Sequence, residues 1–160
     1  MTNYSAEKLQ AIENYIQNSD AELFYDVFDE RYDLVMIVDW REDDEDIINY
    51  CEQILETGHL SVVLEDADNQ QGFTLTIHYT EKSLLIPYQG AGADRDTTLL
   101  ALNEILQPEY EIRFCKATAG SDTLAFIPLP KQLWKELEDK YPINIEKLFE
   151  RFAVNSVFFG

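Results

Sequence analysis

The sequence predicts an α+β fold, with a mostly antiparallel sheet at the centre of a single domain and helices flanking it. Segments whose apolar residues recur at helical spacing are interspersed with short apolar runs rich in branched residues, which are typical of buried strands. Three of these runs follow one another with only short polar links between them. Such links favour antiparallel neighbours, whereas a parallel fold needs a regular alternation of strand and helix.

Length and composition agree with one domain. The chain has 160 residues, of which 46% are hydrophobic and 12% aromatic, so it can close one sizeable core. No linker, internal repeat or low-complexity segment divides it, and we treat residues 1–160 as a single acidic domain. The two cysteines lie far apart in apolar segments, and we expect both Cys51 and Cys115 to be reduced core residues.

The first part of the chain is predicted to form helix, helix, strand and helix. The first helix covers 5–20 with Ser5 as its N-cap, and a short second helix covers 21–31. The apolar run within 32–40 predicts a buried strand. The helix after this strand is the clearest, because its apolar residues fall on one face and Gly58 ends it. These apolar residues are Ile47, Ile48, Cys51, Ile54 and Leu55.

The remainder of the chain is predicted to supply five strands and three helices. A glycine-containing loop over 89–96 leads into the first of these helices, which ends before Pro108. Either Asp94 or Asp96 can cap it. The tail 154–160 is predicted to be a packed terminus or a last strand, with an interface between two copies as the alternative. The strands are predicted over 59–66, 72–79, 82–88, 110–118 and 122–130, and the last two helices over 131–141 and 143–153.

Charge is the property in which the chain departs most from an ordinary domain. It has 31 acidic against 12 basic side chains and a formal net charge of -19, and residues 1–80 hold 19 of the acids but only three of the bases. A field of that size repels DNA, RNA and anionic membranes and speeds association with a cationic partner. We therefore expect a basic protein partner and no direct contact with nucleic acid or membrane. Solubility alone is the competing explanation.

The chain opens with "MTNYSAEKLQ" rather than with the basic and then apolar pattern of a secretion signal. No uninterrupted apolar run in the sequence approaches the ~18 residues that a membrane span needs. We therefore expect a cytoplasmic protein.

Motifs for catalysis are weak, and we expect that the chain is not an enzyme. The two histidines, His59 and His78, belong to no recognisable nucleophile motif, although a distant cysteine–histidine pairing stays open. The loop 89–96 imitates a phosphate loop, but Arg95 stands where the dinucleotide pattern requires Gly or Ala. The Gly-Lys-Ser/Thr of nucleotide hydrolases is absent too, so a flexible turn is the simpler interpretation.

Metal binding by the acidic run 42–46 is the sharpest chemical alternative. Calcium and magnesium need several oxygens that converge on one point, but five consecutive side chains span little more than one helical turn and radiate outward. The segment 66–72 resembles the start of an EF-hand loop, yet its glycine is one position late and Ile77 replaces the closing glutamate. A metal-dependent or two-carboxylate hydrolase built from Asp39 and Asp66 is a lesser alternative. We expect no cofactor and no metal.

The acidic run also has a local structural explanation. Carboxylates at a helix start complement the macrodipole and cap free amides, each at about 0.3–1 kcal/mol. One or two acids suffice for that purpose, so the surplus indicates a solubility role or a cationic partner. Trp40, just before the run, favours the partner, because an indole among carboxylates can stack on an arginine that the carboxylates bind. An indole packed inward at the end of the strand is the alternative.

The last third of the chain carries a resemblance to a known class of proteins. "DTLAFIPLP", followed by a helix with "LWKELE" and a terminal "FERF", is similar to small acidic immunity proteins encoded beside bacterial polymorphic toxins, particularly those of contact-dependent growth-inhibition systems. The resemblance implies a non-catalytic protein that binds and neutralises a cognate toxin, often a nuclease, in the cytoplasm. It transfers no list of binding residues, because such families diversify where they touch the toxin.

Charge and resemblance together predict an immunity protein that neutralises a cognate toxin, with a nuclease as the expected class, and that is a monomer when free. Nuclease domains present basic clefts for phosphates, and a rigid domain that displays carboxylates can cover such a cleft. The alternative is an acidic protein-interaction module or a nucleic-acid mimic outside a toxin system. The predicted binding residues are Asp39, Trp40 as an anchor, Glu42, Asp43, Asp44, Asp46, Asp66 and Asp68.

Overall fold

The computed structural model describes residues 4–159. This part of the chain contains six α-helices and seven β-strands. The helices are α1 (Ala6–Asn18), α2 (Phe24–Val27), α3 (Asp44–Leu55), α4 (Arg95–Leu106), α5 (Lys131–Lys140) and α6 (Pro142–Leu148). The strands are β1 (Met36–Asp39), β2 (Leu60–Asp66), β3 (Phe73–Tyr79), β4 (Lys82–Leu85), β5 (Tyr110–Cys115), β6 (Thr123–Pro130) and β7 (Phe149–Arg151). Within this range no helix has the length and apolarity to cross a membrane.

The strands form two antiparallel sheets, so the predicted α+β class is confirmed. Sheet A has the order β1-β6-β5-β7, and sheet B has the order β2-β3-β4. Helices α3 and α4 lie between the two sheets and contact strands of both. The other face of sheet A is covered by α1, α2, α5 and α6. The prediction of one central sheet therefore describes sheet A, while the three closely linked strands form a separate outer sheet.

Strand β6 shows why the core has two parts. Successive side chains of a strand point to opposite faces. Leu124 and Phe126 belong to the core beneath α3 and α4, whereas Ala125 and Ile127 belong to the core beneath the other helices. Because both faces of β6 are covered, its sequence is a continuous apolar run instead of an alternation.

The direction of the long elements gives the domain two distinct ends. Helix α3 begins just after β1, is about 18 Å long at 1.5 Å per residue, and is followed by β2, which runs back to Asp66. In sheet A, Asp39 at the end of β1 pairs with Thr123 at the start of β6. The start of α3, the β2–β3 hairpin tip and the start of β6 therefore share one end. The last residues of α3 and of β6 lie together at the other end, around one cleft.

The predicted helix over 143–153 is wrong in its second half. Helix α6 ends at Leu148, and Phe149–Arg151 forms β7, which pairs with β5 and sets Phe149 opposite Cys115. The Phe149 ring packs edge-on against Trp134, at 5.2 Å between ring centroids. Pairing with the edge of sheet A overrides the helical spacing of this segment, because tertiary contacts outweigh local propensity.

Two predicted elements near the N-terminus are shorter than expected. The helix predicted over 21–31 begins with a 3-10 turn over Ala21–Leu23 and ends at Val27. The strand predicted over 32–40 starts only at Met36, because the amides of Leu34 and Val35 donate to the carbonyl of Arg31 in a turn. The strands predicted over 82–88 and 110–118 also end early, at Leu85 and Cys115.

The predicted helix caps agree with the structure in part, and the predicted state of the cysteines agrees with it. Ser5 occupies the N-cap position of α1 as predicted, but its hydroxyl makes no capping bond. Asp94 caps α4, and its carboxylate accepts a hydrogen bond from the amide of Asp96 at 3.2 Å. Both Cys51 and Cys115 are free and buried, which confirms the prediction of reduced core residues.

The tail after β7 is a packed terminus, one of the two predicted forms. Phe158 and Phe159 pack against the core that includes Phe126. Their amides donate to Oδ1 of Asp96, at 2.9 and 3.3 Å. The end of the predicted segment, Gly160, lies outside the described residues.

Phe158 is expected to hold this tail on the domain. Its ring centroid lies 4.8 Å from that of Phe152, 5.2 Å from that of Phe114 and 5.3 Å from that of Phe126. We expect Phe158→Ala to lower the free energy of unfolding by about 2–3 kcal/mol, less than the loss of a fully buried ring. The matched control is Val157→Ala, whose side chain is 68% exposed and should change stability by less than about 0.5 kcal/mol. Urea unfolding measures both, and equal effects would contradict a packed tail.

Candidate protein-binding surface

The acidic residues predicted to bind a partner lie at the end of the domain where α3 begins. We call this region, residues 39–46 with Asp66 and Asp68, the acidic end. The tip of the β2–β3 hairpin is attached to the loop between β4 and α4, because Nε2 of Gln71 at the tip donates to the carbonyls of Tyr88 and Gly90. The structure therefore brings the two predicted acidic segments to one side of the molecule.

Asp44 is the exception within this region, because its side chain is buried and only 2% exposed. Its Oδ2 accepts hydrogen bonds from the Tyr88 hydroxyl at 2.8 Å, from the Asp94 amide at 3.1 Å and from the Thr98 hydroxyl. Its Oδ1 lies 3.0 Å from Nε of Arg95, an ion pair without hydrogen-bond geometry. The predicted exposure of Asp44 to a partner is thus corrected: this carboxylate joins α3 to α4.

Arg95 extends the same network to the loop after β1. Its two terminal nitrogens donate to the carbonyl of Trp40 at 2.9 Å and to that of Ala93 at 2.6 Å. The buried pair of Asp44 and Arg95 therefore fixes the loop after β1 and the loop before α4 in one arrangement. In the sequence, Arg95 is a departure from the phosphate-loop pattern of 89–96, and nothing in the local sequence connects it with Asp44.

Two further acids shape the loop between β1 and α3. Glu42 accepts a hydrogen bond from the Tyr50 hydroxyl at 2.8 Å and one from the Asp39 amide at 3.3 Å. Asp39 accepts from the Arg41 amide at 2.8 Å and from the Thr123 hydroxyl at 3.3 Å. The bond from the Arg41 amide, followed by the nearby Arg41 charge, holds the pKa of Asp39 below its ordinary value. Both carboxylates remain partly exposed while they order the loop.

Asp43, Glu45 and Asp46 are the acids of the run 42–46 whose side chains have no partner among the described residues. Within residues 4–159, none of the three takes part in an ion pair or a side-chain hydrogen bond. Asp43 stands at the N-cap of α3, but the predicted capping bond is not formed. Burial, followed by the charges of Asp43 and Glu42, raises the pKa of Asp46 above its ordinary value. Their negative charges are therefore available to a partner.

Trp40 is exposed rather than packed inward, so the first of the two predicted placements applies. Its side chain is 53% exposed, and the Arg41 guanidinium lies 5.4 Å from the ring centroid. Its backbone is held on both sides, since its amide donates to the Asp122 carbonyl at 3.1 Å and its carbonyl accepts from Arg95. A fixed backbone under an exposed indole is the arrangement expected of an interface anchor.

Asp66 and Asp68 lie on an ordered hairpin turn. Both are exposed, and neither has an ion-pair partner among the described residues. The Asn69 side chain braces the turn, because it donates to the Phe73 carbonyl at 2.9 Å and accepts from the Gly72 amide at 2.7 Å. These two carboxylates therefore extend the unpaired negative charge beyond α3.

The opposite end of the domain has a different electrostatic character, which the sequence did not predict. A cleft of about 1180 Å³ lies there. At its floor the buried Arg113 lies 3.3 Å from Glu111 and 3.2 Å from Glu138, and Glu111 also pairs with Arg151 at 2.9 Å. Five of the 12 basic residues line this cleft: Lys8, Arg113, Lys131, Lys135 and Arg151.

Histidine, cysteine and carboxylate side chains are the groups that can hold a metal ion or act in catalysis. Within the described range, no group of three or more His, Cys, Asp or Glu side chains is arranged to hold a metal ion. His78 Nδ1 lies 2.8 Å from the Ser83 hydroxyl on sheet B. Burial raises the pKa of both thiols, Cys51 and Cys115, which is opposite to the shift that activates a cysteine nucleophile.

Comparison with known proteins finds no family model, no curated protein and no solved structure that matches the chain. The resemblance of the last third to immunity proteins therefore stays a prediction.

Removal of the buried carboxylate tests the central network. We expect Asp44→Asn to lower the free energy of unfolding by about 3 kcal/mol, because it leaves Arg95 without its counter-ion. Asp43→Asn is the matched control, since it removes the neighbouring charge at the surface and should change stability by less than about 0.5 kcal/mol. Urea unfolding measures the free energy of unfolding of both variants. Equal losses would mean that Asp44 is not the anchoring carboxylate.

Titration of Asp46 tests whether the unpaired acids influence one another. We expect carboxyl NMR to give Asp46 a pKa above the ordinary value for aspartate, because burial and two neighbouring charges disfavour its ionised form. Asp43→Asn removes one of these charges and should bring the pKa part of the way back. The remote Glu104→Gln should leave it unchanged, and an identical pKa in all three proteins would refute the interaction.

Proposed function

We propose that this protein is a cytoplasmic immunity protein that binds and neutralises a cognate toxin through its acidic end, with a nuclease as the expected class of toxin. One observation carries the proposal: five carboxylates that make no ion pair or side-chain hydrogen bond with another described residue lie at one end of the domain, beside an exposed indole. These carboxylates belong to Asp43, Glu45, Asp46, Asp66 and Asp68.

The distribution of charge supports a cationic partner. The acidic end holds only one base outside its buried network, Arg41, which is already paired with Asp39 at 3.5 Å. The cleft at the other end is lined by five of the 12 bases and by five acids, so its formal charges balance. A protein with such a separation orients itself as it approaches a basic surface, and the attraction raises the association rate. Because the field is screened over about 8–10 Å at physiological salt, this attraction weakens as salt is added.

The chemistry of the acidic end suits arginine and lysine in a nuclease cleft. Carboxylates bind guanidinium groups through paired, charge-assisted hydrogen bonds. Trp40 offers an exposed ring on which a guanidinium can stack, and Arg41 already lies near that ring. A neutral or acidic partner would leave these carboxylates desolvated and unpaired, at a high free-energy cost. The same surface therefore attracts a basic protein and rejects others.

The ordered loops support tight binding. The backbone of Trp40 is held by Asp122 and Arg95, and the loop before α3 is held by Glu42. A surface whose loops are fixed before binding loses little conformational freedom in the complex. The immunity function needs this property, because an inhibitor has to stay bound for as long as the toxin is present.

Charge reversal at the acidic end is the direct test. Immunity proteins of this class are encoded beside their toxins, so the partner to test is the product of the adjacent upstream gene. We expect Asp43→Lys with Asp46→Lys to slow association and to raise the Kd at least tenfold in low salt, because attraction becomes repulsion. The control is Glu104→Lys with Glu146→Lys, which makes the same change in net charge on exposed positions of α4 and α6 and should change the Kd less than threefold.

Two results would overturn the proposal. An unchanged Kd for the double reversal at the acidic end would show that another surface binds the partner. Equal binding of the unaltered protein to lysozyme, an unrelated basic protein, would point instead to an unspecific mimic of nucleic acid. A pull-down that returns the neighbouring gene product, together with protection of cells that express it, supports the immunity function.

A further inference from the structure

A groove of about 410 Å³ adjoins the acidic end on the outer side of β1 and β6. It is continuous with the proposed binding surface, because the carbonyl of Asp122 at its rim accepts the Trp40 amide. Its neighbourhood includes two of the exposed aromatic side chains of the protein, Tyr25 at 59% and Tyr32 at 63%.

The floor of the groove is apolar and its sides are aromatic. Ile37 of β1 and Ala125 of β6 contribute to the lining, together with the buried ring of Phe28. Tyr25 and Tyr32 stand at its sides, and the Tyr25 ring is supported edge-on by Phe24 at 5.2 Å. Exposed tyrosines cost little conformational entropy on binding, and for that reason they are common in protein interfaces.

The rim of the groove is acidic and lacks cations. Asp29, Glu30 and Asp122 are all exposed, and none of them makes an ion pair or a side-chain hydrogen bond with another described residue. Among residues 4–159, no lysine or arginine lines the groove. Around the apolar floor, three carboxylates carry negative charge that no cation in the groove balances. A ligand that fits the groove therefore has to carry a positive charge.

Arg31, the arginine closest in sequence to the rim, cannot balance this negative charge. Arg31 lies in sequence between Glu30 and Tyr32, but its guanidinium is held by two other carboxylates. It makes a two-pronged pair with Glu7, at 2.9 and 3.1 Å, and a second pair with Asp33, at 3.0 and 3.1 Å. These bonds direct its charge away from the groove.

We propose that this groove receives an arginine side chain from the basic protein partner, an inference that rests on the proposed function. Arginine matches each part of the groove. Its aliphatic stem covers the apolar floor, its planar head stacks on a tyrosine ring, and its five N–H groups bind the rim carboxylates. An apolar side chain would leave the carboxylates unpaired, and an anion would be repelled. The groove thus forms a second anchor point next to Trp40.

The test uses the short peptide acetyl-Gly-Arg-Gly-amide as the probe, with its citrulline counterpart as a neutral control of nearly the same shape. We expect the arginine peptide to shift the amide NMR signals of Tyr25, Tyr32 and Asp122 with a millimolar Kd, because a single side chain supplies few contacts. The citrulline peptide should bind at least tenfold more weakly. Tyr32→Ala and Asp122→Asn alter exposed side chains and should each weaken the arginine peptide at least fivefold.

Matched controls separate this inference from the proposed function. Asp43→Asn with Asp46→Asn removes charge from the acidic end and should leave the groove signals responsive. Shifts confined to the acidic end, or equal shifts with the citrulline peptide, would overturn the arginine site while the proposed function stands. Normal groove binding by a protein that does not bind the neighbouring gene product would instead remove the proposed function.

Discussion

The buried carboxylate of Asp44 is the interaction on which the acidic end depends. It lies at the first residue of α3 and binds Tyr88, Asp94 and Thr98 while it pairs with Arg95. A carboxylate removed from water is costly unless its partners replace the lost hydration. Here three donors and one cation do so, and they come from segments that are more than 40 residues away in the chain.

This one network explains how the surface can be both strongly charged and well ordered. Carboxylates that face solvent repel one another and would spread a mobile loop. Arg95 prevents this, because it binds Asp44 on one side and the backbone of Trp40 on the other. Glu42 completes the arrangement from the surface by accepting the Asp39 amide. Asp43, Glu45, Asp46, Asp66 and Asp68 make no ion pair or side-chain hydrogen bond with another described residue, so their charge is available to a partner.

The sequence predicted the parts of the fold that are determined locally. The apolar face of α3 and the short links between β2, β3 and β4 can be predicted from the sequence, because each involves residues that are close together in the chain. The pairing of β1 with β6 joins Asp39 to Thr123, 84 residues apart, and therefore leaves no local signal. The same limit explains β7, whose residues follow helical spacing but pair with the edge of sheet A. Asp43 and Asp44 look alike within the acidic run, and only the distant Arg95 distinguishes them.

We infer above all that the unpaired carboxylates of the acidic end meet a basic protein. Carbodiimide labelling of exposed carboxyl groups, read by mass spectrometry with and without the product of the neighbouring gene, tests this contact most directly. We expect binding to protect Asp43, Asp46, Asp66 and Asp68 and to leave Glu104 and Glu146 labelled as before. Protection of Glu104 and Glu146 with unchanged labelling of the acidic end would contradict it.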